Sequence, residues 1–180
     1  MKTNIALIGF MATGKTSVAK SLAKKLNKKY VSTDELIVRK AKKSVQRIFM
    51  EDGEIRFREI EIEVVKEVSS MQNVVIDCGG GVVLNKINID RLRKSSIIIL
   101  LTATPDEILK RSLKQKGERP LLEVEDRRKK VIELLDFRRP FYEVSADYKI
   151  DTSNLTVEEV VEKIIQILKG ENHGYSGKKE

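Results

Sequence analysis

The chain predicts an α/β fold: three layers, α/β/α, built on a five-stranded parallel sheet. Three observations predict it. Five short apolar runs, Asn4–Phe10, Lys29–Ser32, Asn73–Cys78, Ser96–Thr102 and Asp147–Ile150, have strand length and are separated by stretches of helical periodicity. That alternation belongs to a parallel sheet covered by helices on both faces. The first run opens into Gly9-Phe10-Met11-Ala12-Thr13-Gly14-Lys15-Thr16, a loop of P-loop form. Finally, 180 residues with 41% hydrophobic content suffice for one domain with a full core.

Taken in chain order, each element has a physical reason. The loop after the first strand turns successive backbone N–H groups toward a phosphate and places a helix N-terminus behind it. Lys15 and the Thr16 hydroxyl then reach phosphate and Mg²⁺, which predicts a nucleoside triphosphate site. In Ser17–Leu26 the residues Val18, Leu22 and Leu26 share one helical face. The second strand ends in Ser32-Thr33-Asp34. Ile60-Glu61-Ile62-Glu63-Val64-Val65 alternates like a strand, yet the stretch from Glu54 to Val68 has no turn signal. Ile60, Val64, Val65 and Val68 also fit one helical face, so a helix is expected.

The third strand ends at Asp77, ahead of Gly79-Gly80-Gly81. Thr104-Pro105-Asp106-Glu107 and Thr156-Val157-Glu158-Glu159 carry the capping boxes of two helix starts. Residues 114–125 lack periodicity and contain Gly117 and Pro120, so they read as an exposed loop able to close over a site. We therefore expect a single domain over residues 1–170, a lid at about 114–125, and a disordered tail at 171–180.

Composition narrows the chemistry. No apolar run reaches membrane-spanning length, and the chain enters a strand too early for a secretory signal, so a cytoplasmic protein is expected. Cys78 is the single cysteine and His173 the single histidine, which excludes an internal disulfide or a His/Cys metal cluster. Any metal must be held by oxygen, which suits Mg²⁺. The net charge of +8 is spread over lysines on most of the helices, with few aromatics to stack on bases. It reads as a solvated exterior and not a nucleic-acid surface; no membrane partner is expected, and the chain is expected to act as a monomer.

Ligands of an open parallel sheet gather beyond the carboxyl ends of its strands, so Gly9–Thr16, Asp34 and Asp77–Gly81 should converge. Three consecutive glycines let backbone approach a ligand, although a tight turn explains them equally well. Arg58, Arg119 and Arg138 carry guanidinium groups suited to carboxylate or phosphate.

With these residues in view the chain resembles the shikimate kinases, P-loop kinases related in fold to nucleoside monophosphate kinases. The resemblance runs from the P-loop through Asp34, Gly53-Glu54, Phe57-Arg58, Glu61, Gly79–Gly81, Arg119-Pro120-Leu121-Leu122, Arg138, Pro140 and Tyr142 to Asp151-Thr152. It implies transfer of the γ-phosphoryl group of ATP to the 3-hydroxyl of shikimate. It further implies that Gly9, Ala12, Thr13, Gly14, Lys15, Thr16 and Ser17 hold ATP, with Arg111 beside the adenine. Asp34 would orient and deprotonate the attacking hydroxyl, Arg58 and Arg138 would clamp the substrate carboxylate, and Gly79, Gly80 and Gly81 would line its pocket. Lys15 and Arg119 would stabilise the transferring phosphates.

Two departures from the family pattern matter most. Where the family has an Asp-x-Asp pair whose first member helps hold Mg²⁺, this chain has Ser32. Where it often has a small hydroxyl or apolar residue, this chain has Asp77, in the form of a Walker B aspartate. Asp77 is therefore expected to take over the metal contact, beside Thr16. Ala12 replaces a common glycine and fits if its φ is negative.

Rival readings are a gluconate-type or nucleoside monophosphate kinase, or a non-catalytic nucleotide- or shikimate-binding regulator. A GTPase is disfavoured: Asp77-Cys78-Gly79-Gly80 matches Asp-x-x-Gly, but Asn85-Lys86-Ile87-Asn88 lacks the aspartate that reads guanine.

Overall fold

A computed structural model describes residues 2–114 and 127–173. Five strands, β1 (Asn4–Ile8), β2 (Lys29–Ser32), β3 (Val74–Asp77), β4 (Ser96–Thr102) and β5 (Tyr148–Asp151), form one sheet in the order β2-β3-β1-β4-β5. Every pairing is parallel, with Leu7 opposite Asp77 and Ile99, and Ser32 opposite Asp77. The helices are α1 (Lys15–Lys25), α2 (Thr33–Ala41), α3 (Val45–Arg47), α4 (Gly53–Ser69), α5 (Lys86–Ser95), α6 (Pro105–Lys114), α7 (Arg127–Ser145) and α8 (Val157–His173). The expected strands are all present, and the ambiguous stretch from Glu54 is helical throughout α4.

Alternate residues of the central strands feed two separate cores. Ile5, Leu7, Val75, Ile99 and Leu101 pack with Val18, Leu22, Val160 and Ile164 of α1 and α8. Ala6, Ile8, Ile76, Ile98 and Leu100 pack on the opposite face with Val64, Leu92 and Val131 of α4, α5 and α7. This period-of-two division explains why β1 and β4 are continuously apolar, since both faces of each are covered.

The capping boxes differ. At Thr156 the box closes both ways: Glu159 N–H donates to Thr156 Oγ1 at 3.2 Å and Thr156 N–H to Glu159 Oε2 at 2.7 Å. At Thr104 only half forms, because Arg111 takes the Glu107 carboxylate at 2.9 Å and Thr104 N–H donates to Ser153 Oγ instead. The helix start survives, and the glutamate is released to hold an arginine. Helix α8 runs to His173, past the Gly170 at which a tail was expected; residues 174–180 and most of the expected lid lie outside the described residues.

The first strand ends at Ile8, two residues before the expected Phe10, because Gly9 has φ 148° and turns the chain out of the sheet. A Cβ at Gly9 would also run into the backbone carbonyl of Leu101 on β4. Gly9→Ala is accordingly expected to cost upward of about 3 kcal/mol, from backbone strain plus a clash with a strand that cannot move. Urea unfolding measures it; a loss below about 1 kcal/mol would show that the turn can relax.

Candidate active site

The phosphate loop is braced from within and from behind. Helix α1 starts at Lys15 with Gly14 at its N-cap and no side-chain cap, so its first N–H groups remain for an anion. Lys15 Nζ and Thr13 Oγ1 both donate to the Phe10 carbonyl at 2.8 Å. Behind the loop, the Thr152 hydroxyl is shared between the carbonyls of Thr13 at 2.9 Å and Thr102 at 3.0 Å. Arg111 donates to Thr152 Oγ1 at 3.0 Å, to the Thr152 carbonyl at 2.8 Å and to the Ala12 carbonyl at 3.4 Å. It thus ties α6 to the loop's flank and to the turn after β5. Thr16 and Ser17 are exposed at the start of α1.

Ala12 corrects an expectation: its φ is +59°, in the left-handed region, not negative. The strain, about 1 kcal/mol for an L-residue, is offset because the methyl group is buried in the core cluster. A buried methyl contributes about 0.8 kcal/mol, and alanine also restricts the unfolded chain relative to glycine. Ala12→Gly is therefore expected to leave the thermal midpoint within about 2 °C. A rise of more than about 5 °C in scanning calorimetry would show that the strain goes unrelieved.

Beside the loop, the glycine run faces three of the expected substrate residues. A Cβ on Gly79 would lie 2.5 Å from Asp34 Oδ1, one on Gly80 3.6 Å from Arg138 Nη1 and 3.7 Å from Met11 N, and one on Gly81 2.5 Å from Arg58 Nη2. The glycines are therefore close-approach positions and not merely a turn. Their backbone is pinned from two sides: Gly79 N–H donates to buried Thr33 Oγ1 at 2.8 Å, and the Tyr142 hydroxyl donates to the Gly80 carbonyl at 2.5 Å. Burial pushes the Tyr142 phenol up to about 12, against the pull of Arg138, so it stays a donor.

Asp34 is exposed in the first turn of α2, where the positive end of a helix favours a carboxylate. Arg58 donates from Nη1 to Glu61 at 3.0 Å, and from Nη2 and Nε to Glu54 at 3.1 and 3.3 Å. Glu61 is 1% exposed; burial pushes its carboxyl up and outweighs the opposing Arg58 charge. Arg138 is 6% exposed, its guanidinium lies 5.8 Å from the Phe10 ring centre, and its buried Nε has no hydrogen-bond partner among the described residues.

The corner where a metal contact was expected joins β2, β3 and α1. Thr16 Oγ1 donates to Asp77 Oδ2 at 2.6 Å. Ser32, opposite Asp77 in the sheet, accepts from Glu35 N–H at 3.3 Å and so caps α2. The structure thus brings together Lys15, Thr16, Asp34, Arg58, Asp77, Gly79–Gly81 and Arg138, while Arg119 lies outside the described residues. Tyr30, Thr33 and Thr152 were not singled out as site residues. Their signal is faint: Tyr30 shares the face of Ser32 two residues on, and the other two follow strand ends.

The comparisons agree with one another. A family model described as shikimate kinase matches residues 11–169. The shikimate kinase of Caldanaerobacter subterraneus subsp. tengcongensis is 50% identical over 163 residues, covering 91% of this chain and 94% of that protein. That of Thermodesulfovibrio yellowstonii is 49% identical, covering 91% and 93%. Among solved structures, shikimate kinase from Acinetobacter baumannii in complex with shikimate superposes with a TM-score of 0.90 at 33% identity, covering 95% of each chain. Shikimate kinase from Aquifex aeolicus gives 0.79 at 32% identity, covering 95% of this chain and 99% of that one.

Proposed function

The chain belongs to the shikimate kinase family and phosphorylates shikimate with ATP in aromatic amino acid biosynthesis, and from that premise we propose how its residues divide the work. One observation carries the assignment: the glycine run that abuts the phosphate loop at Met11 is also packed against Asp34, Arg58 and Arg138. An anionic polyol held there meets a carboxylate for its hydroxyls and two guanidinium groups for its carboxylate.

In the reaction the 3-hydroxyl oxygen forms a bond to the γ-phosphorus, the bond from that phosphorus to the bridging oxygen breaks, and ADP leaves with the electron pair. Asp34 orients the attacking hydroxyl and takes its proton. The Nε/Nη2 fork of Arg58, resting on exposed Glu54, turns to the substrate, while buried Glu61 keeps Nη1 and holds the guanidinium in place. Giving up an exposed ion pair costs little, about 0.2–1 kcal/mol. Lys15 leaves the Phe10 carbonyl for the phosphates, and Arg119 joins it. Arg111 fixes the flank along which the adenine lies.

Mg²⁺ fits the oxygen donors at the end of β3. The Thr16 hydroxyl and the Asp77 carboxylate would hold it, a set typical of a cation that keeps substrate phosphates and water as its other ligands. When bound it neutralises charge on the phosphate oxygens. Asp77 here stands in for the carboxylate that Ser32 lacks. No helix among the described residues is long and apolar enough to cross a membrane, and the buried free thiol of Cys78 suits a reducing cytoplasm.

ADP release measured with shikimate, quinate, gluconate, AMP and no acceptor tests the reading. Release stimulated by shikimate alone is expected. Equal release without acceptor, or stimulation by AMP, would overturn it.

A further inference from the structure

Asp77 Oδ2 receives two hydroxyl groups, not one. Besides Thr16 at 2.6 Å, the Tyr30 hydroxyl donates to the same oxygen at 3.3 Å. Tyr30 pairs with Val75 in the sheet, two residues short of the Ser32–Asp77 pair, so its ring runs along the strand direction to reach the next side chain on that face. The ring is half-buried, packed on the cluster beneath α1 and α8, with Lys20 Nζ 5.3 Å from its centre. A tyrosine so placed needs no partner for its hydroxyl, which could meet water. Asp77 Oδ1, by contrast, accepts none of the hydrogen bonds found among the described residues.

We propose that Tyr30 is a positioning residue for the metal corner: with Thr16 it locks Asp77 through Oδ2 and leaves Oδ1 for a divalent cation or its bound water. The inference rests on the reading of Asp77 as the metal-side carboxylate. Two donors on one oxygen, a short one and a longer one, restrict the rotation that a carboxylate at a strand end otherwise retains. Thr16, its proton committed to Oδ2, keeps its lone pairs for the metal. The device matters in this chain because Ser32 supplies no second carboxylate, so the orientation of one group decides how well the cation is held.

Tyr30→Phe removes the hydroxyl and keeps the ring. Calorimetry of ADP binding with Mg²⁺ and in EDTA gives the enhancement of affinity due to the metal, without reference to turnover. In Tyr30→Phe the enhancement is expected to fall about tenfold, the lower end of the range for partners that orient metal ligands. Affinity in EDTA and the unfolding midpoint stay at wild-type values. Asp77→Asn loses most of the enhancement, and the double variant is no worse than Asp77→Asn.

If Tyr30→Phe matches wild type while Asp77→Asn loses the enhancement, the role of Tyr30 is wrong and that of Asp77 stands. If Asp77→Asn keeps the enhancement, or wild type shows none, both fail together. A fall in EDTA affinity or midpoint in Tyr30→Phe, or a further loss in the double variant, also overturns the proposal, because the hydroxyl then acts through packing or another group.

Discussion

Replacing Arg138 by methionine is expected to weaken shikimate binding by about two to three orders of magnitude, the usual consequence of removing one partner of a desolvated charge pair. The unfolding midpoint should meanwhile stay level or rise. Both halves follow from the same facts: the guanidinium is 6% exposed, and its Nε is buried without a partner among the described residues. A buried charge with an unmet donor costs stability, and an apolar side chain of similar length removes that cost. The arginine is thus maintained against the interest of the core. Steady-state KM for shikimate and differential scanning calorimetry check the two halves. A midpoint lowered by more than about 4 °C with unchanged KM would make Arg138 structural.

Asp34→Asn is the second large effect. If Asp34 takes the proton of the attacking hydroxyl, kcat falls by about 10²- to 10⁴-fold. Asparagine retains the shape and a hydrogen-bonding oxygen, so shikimate KM moves much less. Because Asp34 is exposed at the start of α2 and distant in role from the phosphate loop, ADP affinity and unfolding should not change. Turnover above about a tenth of wild type would mean that Asp34 only orients the hydroxyl, with the proton leaving to water or phosphate.

The larger elements were legible because their causes are local or periodic. The helix α4 emerged from the spacing of Ile60, Val64, Val65 and Val68 despite the strand-like alternation at Ile60–Val65, and it ends within a residue or two of the expectation. The meeting of Thr16 with Asp77 was legible too, since the phosphate loop and Asp77 both lie at the carboxyl ends of strands that such a sheet places side by side. The φ of Ala12 was not, because it is imposed by the loop's closure and offset by burial, neither of which leaves a mark in composition. The parts of Tyr30 and Thr33 depend on cross-strand register, and a residue pattern that fixes which face a side chain occupies does not fix its neighbour on the next strand. Arg138 could be read as a candidate guanidinium, but its unpartnered Nε appears only once α7 is packed on the sheet.

Phe10 belongs to both halves of the site: its carbonyl gathers Lys15 and Thr13, and its ring lies beside the Arg138 guanidinium. A ligand that draws Lys15 away leaves that carbonyl to Thr13 alone, one residue's width from the ring beside the arginine. Any coupling between the two substrates that runs through Phe10 is reciprocal by linkage: whatever factor the nucleotide imposes on shikimate affinity, shikimate imposes on the nucleotide.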